Sequence, residues 1–338
     1  MKKDAIRLKD EFAFIQSLLP KKQYHRSLIK GIGDDAALFH HGDEYDTVVC
    51  VDTLVENIHF KRCTMLPAHI GYKALAVNLS DIAAMGGIPN YYLVSIAVPK
   101  KGWKDCEVKE IYDGMNELAE RFKVDLIGGD TVSSNQELVI TVTAIGTVAK
   151  GRRLFRQNSK SGDVVFVTDF LGASAAGLSL LLEHGMNYPY AKEQRELIEQ
   201  HQKPNPQIKA GLLLVNMGVR AALNDISDGI ASEANELAEA SGKTIVLDYG
   251  KIPKHPALGS FSNKEIEDFV LYGGEDFQLI GTANKKNWDQ IQSAFHEANI
   301  KITEIGYVKN GEPKVYLLKN HSPFILDKRG YNHFRKNE

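Results

Sequence analysis

Aspartates set among Gly, Ser and Thr at expected turns and strand ends recur along this chain, and they constrain its fold more than any other feature. Asp34-Asp35 lies in GIGDDAA (31–37), Asp52 in CVDTLVE, Asp81 in NLSDIAAMG, Asp130 in GGDT, and Asp225 with Asp228 in DISDG. Loops at strand ends expose side chains, and small residues let the backbone approach a ligand. A chain built this way alternates short apolar strands with helices and offers its acids at the junctions.

The intervening segments fit that plan. Asp10–Leu19 has apolar residues at helical spacing and is stopped by Pro20. Thr47–Val51 reads as a buried strand ending on Asp52, Pro67–Met85 as a long helix closed by Gly86-Gly87, and Asn90–Val98 as a strand. Glu107–Phe122 is expected to be helical, and Val124–Ile127 a strand that delivers Gly128-Gly129-Asp130. Leu138–Val148 alternates as a further strand, and the charged connection Lys150–Asp163 marks a boundary between residues 1–150 and 151–338. Beyond it, Val164–Val167, Thr244–Asp248, Phe277–Ile280, Ile302–Val308 and Val315–Leu318 read as strands. Gly172–Glu183, Ile208–Leu223 and Ile230–Ser241 read as helices, with Asn224–Gly229 a loop. The fold class is α+β, two domains each with an open sheet carrying helices.

Several function classes are excluded. With 41 Lys plus Arg against 43 Asp plus Glu, the chain has no polybasic surface for nucleic acid or anionic lipid. Its three cysteines form no CxxC pair, so neither a disulfide framework nor a structural zinc site is expected, and a cytoplasmic location follows. MKKDAIRLKDEF has no apolar run behind its basic start, and Ala74–Pro99 is broken by Asp81, Pro89 and Asn90, so neither a leader nor a membrane span is expected. GIGDDA fits GxGxxA, but two carboxylates inside the cradle repel a pyrophosphate unless metal ions intervene. GASAAGLS has P-loop spacing with Leu178 where lysine is needed, so its small residues read as close helix packing.

Oxygen ligands without a His/Cys quartet suit Mg²⁺ bridged to phosphates. Asn78 and Asp81, three residues apart, point the same way from an otherwise apolar helix. For any single acid, a helix cap or turn is an equal explanation. Asp163 and Asp248 are read that way, Asp35 is open to it, and Asp228 is accounted for equally by capping the next helix. It is the number of such sites that favours one multi-metal phosphate site.

On GIGDDAA (31–37), DTLVENIHF (52–60), GYKALAVNLSDIAAMG (71–86), LIGGDT (126–131), DISDG (225–229) and GGEDFQL (273–279), the chain resembles the thiamine-monophosphate kinase family of the aminoimidazole ribonucleotide synthetase superfamily. The resemblance runs to the terminal GYNHF (330–334). It implies ATP-dependent phosphorylation of thiamine monophosphate to thiamine diphosphate, and a homodimer in which the N-terminal sheets pair into a barrel beside α/β C-terminal domains. It implies Mg²⁺ ligands at Asp34, Asp52, Asp81, Asp130, Asp225 and Asp228, with Asp130 and Asp228 central to catalysis. Tyr112, Gly129, Asp130, Arg156 and Ser227 are implied to contact ATP, and His59, Glu275 and Tyr331 the thiamine monophosphate. Cys50-Val51 departs from the hydroxyl-rich pair usual before Asp52, and RQNSKSGD (156–163) from the usual RSGAKPGD.

Both reactants are anionic, so bridging Mg²⁺ and positioning carry the chemistry. The acceptor monoester, with a second pKa near ~6, is largely dianionic at neutral pH and needs no strong base. Direct in-line transfer without a phosphoenzyme is expected. Two alternatives stand beside this reading. One is another ATP-using synthetase of the superfamily, although the first twenty-five residues lack the cysteine expected of a selenophosphate synthetase. The other is a non-catalytic nucleotide-binding scaffold.

Overall fold

The computed structural model describes residues 15, 18–20, 22–320 and 322–329. Most of the helix expected over Asp10–Leu19, and Tyr331 with the terminal GYNHF, lie outside these residues. Two mixed α/β units follow one another, each built on its own open sheet.

The first sheet has six strands, β1 (Leu28–Lys30), β2 (Ala37–His40), β3 (Tyr45–Val55), β4 (Ile88–Pro99), β5 (Asp125–Ser134) and β6 (Val139–Ala149). Their order is β1-β2-β3-β6-β4-β5, and only β4 and β5 run parallel. Helix α1 (Pro67–Ala84) joins β3 to β4, and α2 (Asp105–Phe122) makes the crossover that a parallel pair requires. The sheet is open, with β1 and β5 at its edges.

The second sheet has seven strands, β7 (Asp163–Thr168), β8 (Ala221–Asp225), β9 (Thr244–Asp248), β10 (Leu279–Asn284), β11 (Ile302–Lys309), β12 (Val315–Lys319) and β13 (Ser322–Ile325). They are ordered β13-β12-β9-β11-β7-β10-β8. Around it lie α3 (Ala173–His184), α4 (Lys192–Gln202), α5 (Ile208–Met217), α6 (Ile230–Ser241), α7 (Asn263–Tyr272) and α8 (Trp288–Glu297).

Of the elements that differ from expectation, three show their cause directly. β3 continues through Asp52 to Val55, because Thr53, Leu54 and Val55 each find a ladder partner in β6 (Thr141, Ile140 and Val139). β5 likewise runs through Gly128-Gly129-Asp130, so Asp130 sits inside an edge strand opposite Ser95. The helix expected over Ile208–Leu223 stops at Met217. Gly218 takes the left-handed conformation (φ 65°) as its cap, and Ala221–Asp225 becomes β8.

Helix α1 organises the molecule. It is buried on nearly every side, from Ile70 to Ala84, as a helix apolar around its whole circumference requires. One side meets its own sheet and α2; another meets α5 and β8 of the second unit. Glycines permit the closest approaches. A Cβ on Gly71 would lie 1.7 Å from the Ile111 carbonyl oxygen, and one on Gly114 would lie 1.8 Å from that of Ala68, so α1 and α2 touch backbone to backbone. A Cβ on Gly211 would lie 2.2 Å from the Ala83 carbonyl, which brings α5 equally near. No described helix is long and apolar enough to cross a membrane.

These contacts predict that Gly114→Ala lowers unfolding free energy by about 3 kcal/mol through overpacking. Gly259→Ala, with nothing within 4 Å of the new carbon, is predicted to be close to neutral. Urea denaturation of both variants is the check, and equal stabilities contradict the close helix crossing.

Candidate functional site

Asp81 projects from the last turn of the buried helix α1, Asp225 ends β8, and Asp35 sits in the turn between β1 and β2. One carboxylate oxygen from each lies within 4.8 Å of the other two. Segments nearly 200 residues apart thus bring three acids together where the two units meet. Ser80, the neighbour of Asp81, donates its hydroxyl to Asp225 Oδ2 at 2.7 Å and ties α1 to β8 at that spot.

Such crowding is opposed by desolvation and by like charge, and the acids respond by holding protons. Burial, with the charges of Asp225 and Asp34 adding to it, pushes Asp35 to about 8 against the pull of Arg156. Burial, with Asp52 and Asp228 adding, lifts Asp225 to about 7 despite the Ser80 hydrogen bond and Arg156. Burial raises Asp52 to about 6 against its hydrogen bond to Asp81. Asp81 is driven well above the carboxylate range, first by burial and then by Asp52, Asp225 and Asp35. Asp35 Oδ2 is buried and accepts no hydrogen bond. Buried, mutually repelling oxygen donors with an orphaned oxygen among them fit a hard divalent cation such as Mg²⁺.

A cavity of about 390 Å³ opens beside the trio, within the range of small-molecule sites. Asp52, Asp81, Asp225, Ser227, Asp228, His59 and Glu275 all line it. Val55 N–H donates to His59 Nδ1 at 3.0 Å, which leaves the neutral ring's proton on Nε2. A larger hollow, about 470 Å³, is lined by Arg152, Arg153 and Arg220. Two of its charges are already engaged, Arg153 with Asp46 and Arg220 with Asp163, while Arg152 lies over Gly218 at the C-terminal end of α5, where a cation is favoured. The chemistry belongs to the smaller cavity.

The expected site residues separate into groups. Asp52, Asp81, Asp225, Asp228, Ser227, His59 and Glu275 come together. Asp34 faces Lys30 at 3.2 Å and Arg156, beside the trio and not in it. Arg156 is taken up by carboxylates: it pairs with Asp35, reaches Glu236 at 2.7 Å, and serves as the acids' counter-charge. Asp130 is exposed on the edge strand β5 and outside the trio. Next to it, Thr131 is hydrogen-bonded to the Tyr112 hydroxyl, so the Tyr112–Gly129–Asp130 group is a local assembly on that edge. Gly129 also has a packing reason, since a Cβ there would lie 1.9 Å from the Val94 carbonyl of β4.

Asp163 accepts from Arg220 and the Lys160 backbone, and Asp248 from Gly250 N–H, as their reading as turn residues requires. Cys50 points its buried thiol at the Asn78 carbonyl, 3.3 Å away, and its side chain offers no oxygen to a metal.

Three contributors were not assigned to the site by sequence. Asp35 joins the trio. Glu233, on the first turn of α6, accepts from Asp228 N–H at 2.9 Å and from Asn224 at 2.8 Å, and so holds the DISDG loop in shape. Asp276 accepts from Gly172 and Ser174 N–H and caps α3, while its neighbour Glu275 turns into the cavity. Of these, only Asp35 carried a legible signal, its place beside Asp34 in a glycine-bounded turn.

Residues 33–148 match the family described as AIR synthase related protein, N-terminal domain, and residues 160–318 match the C-terminal domain. The chain belongs to the AIR synthase related family. The thiamine-monophosphate kinase of Bacillus subtilis (strain 168) is 48% identical over 327 residues, which are 96% of this chain and 100% of that protein. That of Escherichia coli (strain K12) is 32% identical over 328 residues, 96% and 98% of the two chains. The solved structure described as AaThiL complexed with AMPPCP and TMP has a TM-score of 0.82 at 31% identity, covering 98% of this chain and 100% of that one. Within the family, the chain is a member of the thiamine-monophosphate kinases. E. coli HypE, a hydrogenase maturation protein, shares the fold at a TM-score of 0.68 and 19% identity.

A carboxyl whose folded pKa is raised binds its proton more tightly folded than unfolded, so its contribution to stability falls as pH rises from the ordinary carboxylate range through about 8. The melting temperature of the metal-free protein is therefore predicted to fall between pH 5 and 8, and to fall less in Asp81→Asn. Millimolar Mg²⁺ at pH 8 is predicted to recover roughly 3–6 °C in the parent protein and less in the variant. A flat profile with no response to Mg²⁺ contradicts the cation site.

Proposed function

We propose that this protein uses ATP to phosphorylate thiamine monophosphate to thiamine diphosphate, by direct in-line transfer between phosphates held over the acid trio. The observation that carries the reading is the meeting of Asp35, Asp81 and Asp225 from both units, with Asp81 and Asp225 lining one cavity. Family membership supports the same chemistry, together with a relative described with an ATP analogue and TMP.

The residues divide the work by charge. Asp35, Asp52, Asp81, Asp225 and Asp228 form the core of the proposed Mg²⁺ set, and Asp34 and Asp130 extend it. Bound Mg²⁺ neutralises phosphate oxygens that otherwise repel one another. Tyr112, Gly129, Asp130, Arg156 and Ser227 are assigned to ATP, and His59, Glu275 and Tyr331 to thiamine monophosphate. Arg156 reaches nucleotide phosphate by exchanging carboxylate partners, a change that cations entering the trio favour. The acceptor phosphate, dianionic above its second pKa of about 6, attacks without a general base.

A homodimer completes the proposal. The face of the first sheet away from α1 and α2 exposes Val51, Tyr91 and Val132, and Leu126 and Ile127 are exposed on the edge strand β5, an apolar surface of the kind that marks an interface. Pairing of this face with that of a second copy gives the barrel, and is the route by which Asp130, exposed at the sheet edge, joins a shared cleft. Residues 1–150 are assigned ATP and metal binding and dimerisation, and residues 151–338 completion of the substrate site. The chain's thiol usage supports a cytoplasmic location.

Purified protein with Mg-ATP and thiamine monophosphate is predicted to form thiamine diphosphate and ADP in equal amounts. Asp81→Asn is predicted to lower kcat/KM by about 10²-fold or more, the scale of a lost electrostatic stabiliser. ADP and inorganic phosphate without thiamine diphosphate contradict the proposal.

A further inference from the structure

Lys73 is the most deeply buried cation in the neighbourhood of the cavity, and the reaction described above does not use it. Its side chain, on the first turns of α1, has no solvent exposure, and its ammonium lies 2.7 Å from Glu275 Oε2. It has no hydrogen-bond partner beyond that ion pair. Enclosing an ammonium with a single carboxylate oxygen to answer three N–H groups is a poor way to stabilise a fold, because desolvation offsets the attraction. A buried charge with so few partners, set directly behind a carboxylate that lines the cavity, points instead to function.

The carboxylate is held from every side. Glu275 has φ 67°, a left-handed conformation unfavourable to a side chain, and its N–H is fixed to the Ser227 carbonyl at 2.7 Å. His201 of α4 places Nδ1 3.4 Å from Oε2 and 3.1 Å from Ser174 Oγ. Burial and Lys73 depress His201 to about 3, so the imidazole is neutral and Lys73 supplies the charge. Burial opposes ionisation of Glu275, but the Lys73 ammonium outweighs it and holds the carboxylate below its usual range. With 27% of its side chain exposed, Glu275 presents the rest of its carboxylate to the cavity.

We infer that Lys73 is a positioning residue that fixes Glu275 as an aimed carboxylate, and that this buried pair selects a substrate whose ring is cationic. The inference rests on the function proposed above and adds a determinant of specificity to it. Lys73 touches neither reactant; it acts through Glu275, against which a positively charged five-membered ring is seated. A ring of the same shape without charge leaves the carboxylate unanswered.

The test compares thiamine monophosphate with an analogue whose thiazolium is replaced by a neutral aromatic five-membered ring. The parent enzyme is expected to show a KM about tenfold lower for the cationic substrate. Lys73→Met is expected to cut that preference to about threefold or less by raising KM for the cationic substrate. Its kcat should stay within about threefold, and its KM for ATP should be unchanged. Glu275→Gln should lose the same preference, and Lys73→Met with Glu275→Gln should lose no more than Glu275→Gln alone. The double variant leaves no unpaired charge buried, and carries the test should either single variant fail to fold. A double variant that retains the parent's full preference, or a folded Lys73→Met variant that does, overturns the inference and leaves the kinase reading intact. Absence of thiamine diphosphate from the parent enzyme overturns the kinase reading itself.

Discussion

Like-charge repulsion at a buried junction is the constraint on which this structure turns. Asp35, Asp81 and Asp225 are brought within 4.8 Å of one another in a region from which water is largely excluded. Protons and Arg156 hold the arrangement together; neither makes it comfortable. The rest of the molecule supplies the compensation. Helix α1 is locked on one side by backbone contact with α2 and on another by α5, and one apolar core runs continuously from the first sheet into the second unit. Interior packing transmits strain and does not yield to it, so the acids stay gathered.

The loops opposite α1 are laced to one another. Glu275 N–H bonds to the Ser227 carbonyl, Phe277 N–H to that of Ile226, and Ile226 N–H to that of Gln278. The GGEDF and DISDG segments therefore form one rigid wall. Within it, consecutive acids take opposite tasks: Asp276 turns inward to cap α3, and Glu275 turns outward to the cavity. Glu275 and Phe277 both hold positive φ, at 67° and 48°. The conformation is costly, and the hydrogen bonds on either side keep it in place.

Much of this plan was legible in the sequence because local rules set it. Pro67 opens α1 and Gly86-Gly87 follow its end, and β-branched runs became strands where expected. The differences arise where a partner far along the chain decides. Asp52 and Asp130 are strand residues because β6 and β4 continue the ladder beside them. Ala221–Leu223 reads locally as an extension of α5, and becomes part of a strand because β10 pairs with it. Lys73 and Glu275 are 202 residues apart in number, and no local pattern announces that one will neutralise the other. Asp35 has the same character: next to Asp34 the two are equivalent in sequence, and only the fold turns one toward Lys30 and the other toward Asp81 and Asp225. Tests of the site therefore belong at these long-range contacts.

The most direct measurement is anomalous scattering from crystals soaked in Mn²⁺, which substitutes for Mg²⁺ among oxygen ligands. The account predicts a peak coordinated by carboxylate oxygens of Asp35, Asp81 and Asp225, at roughly 2.0–2.3 Å from each. Crystals that bind Mn²⁺ elsewhere, with these three carboxylates making no contact to it, would contradict the central claim.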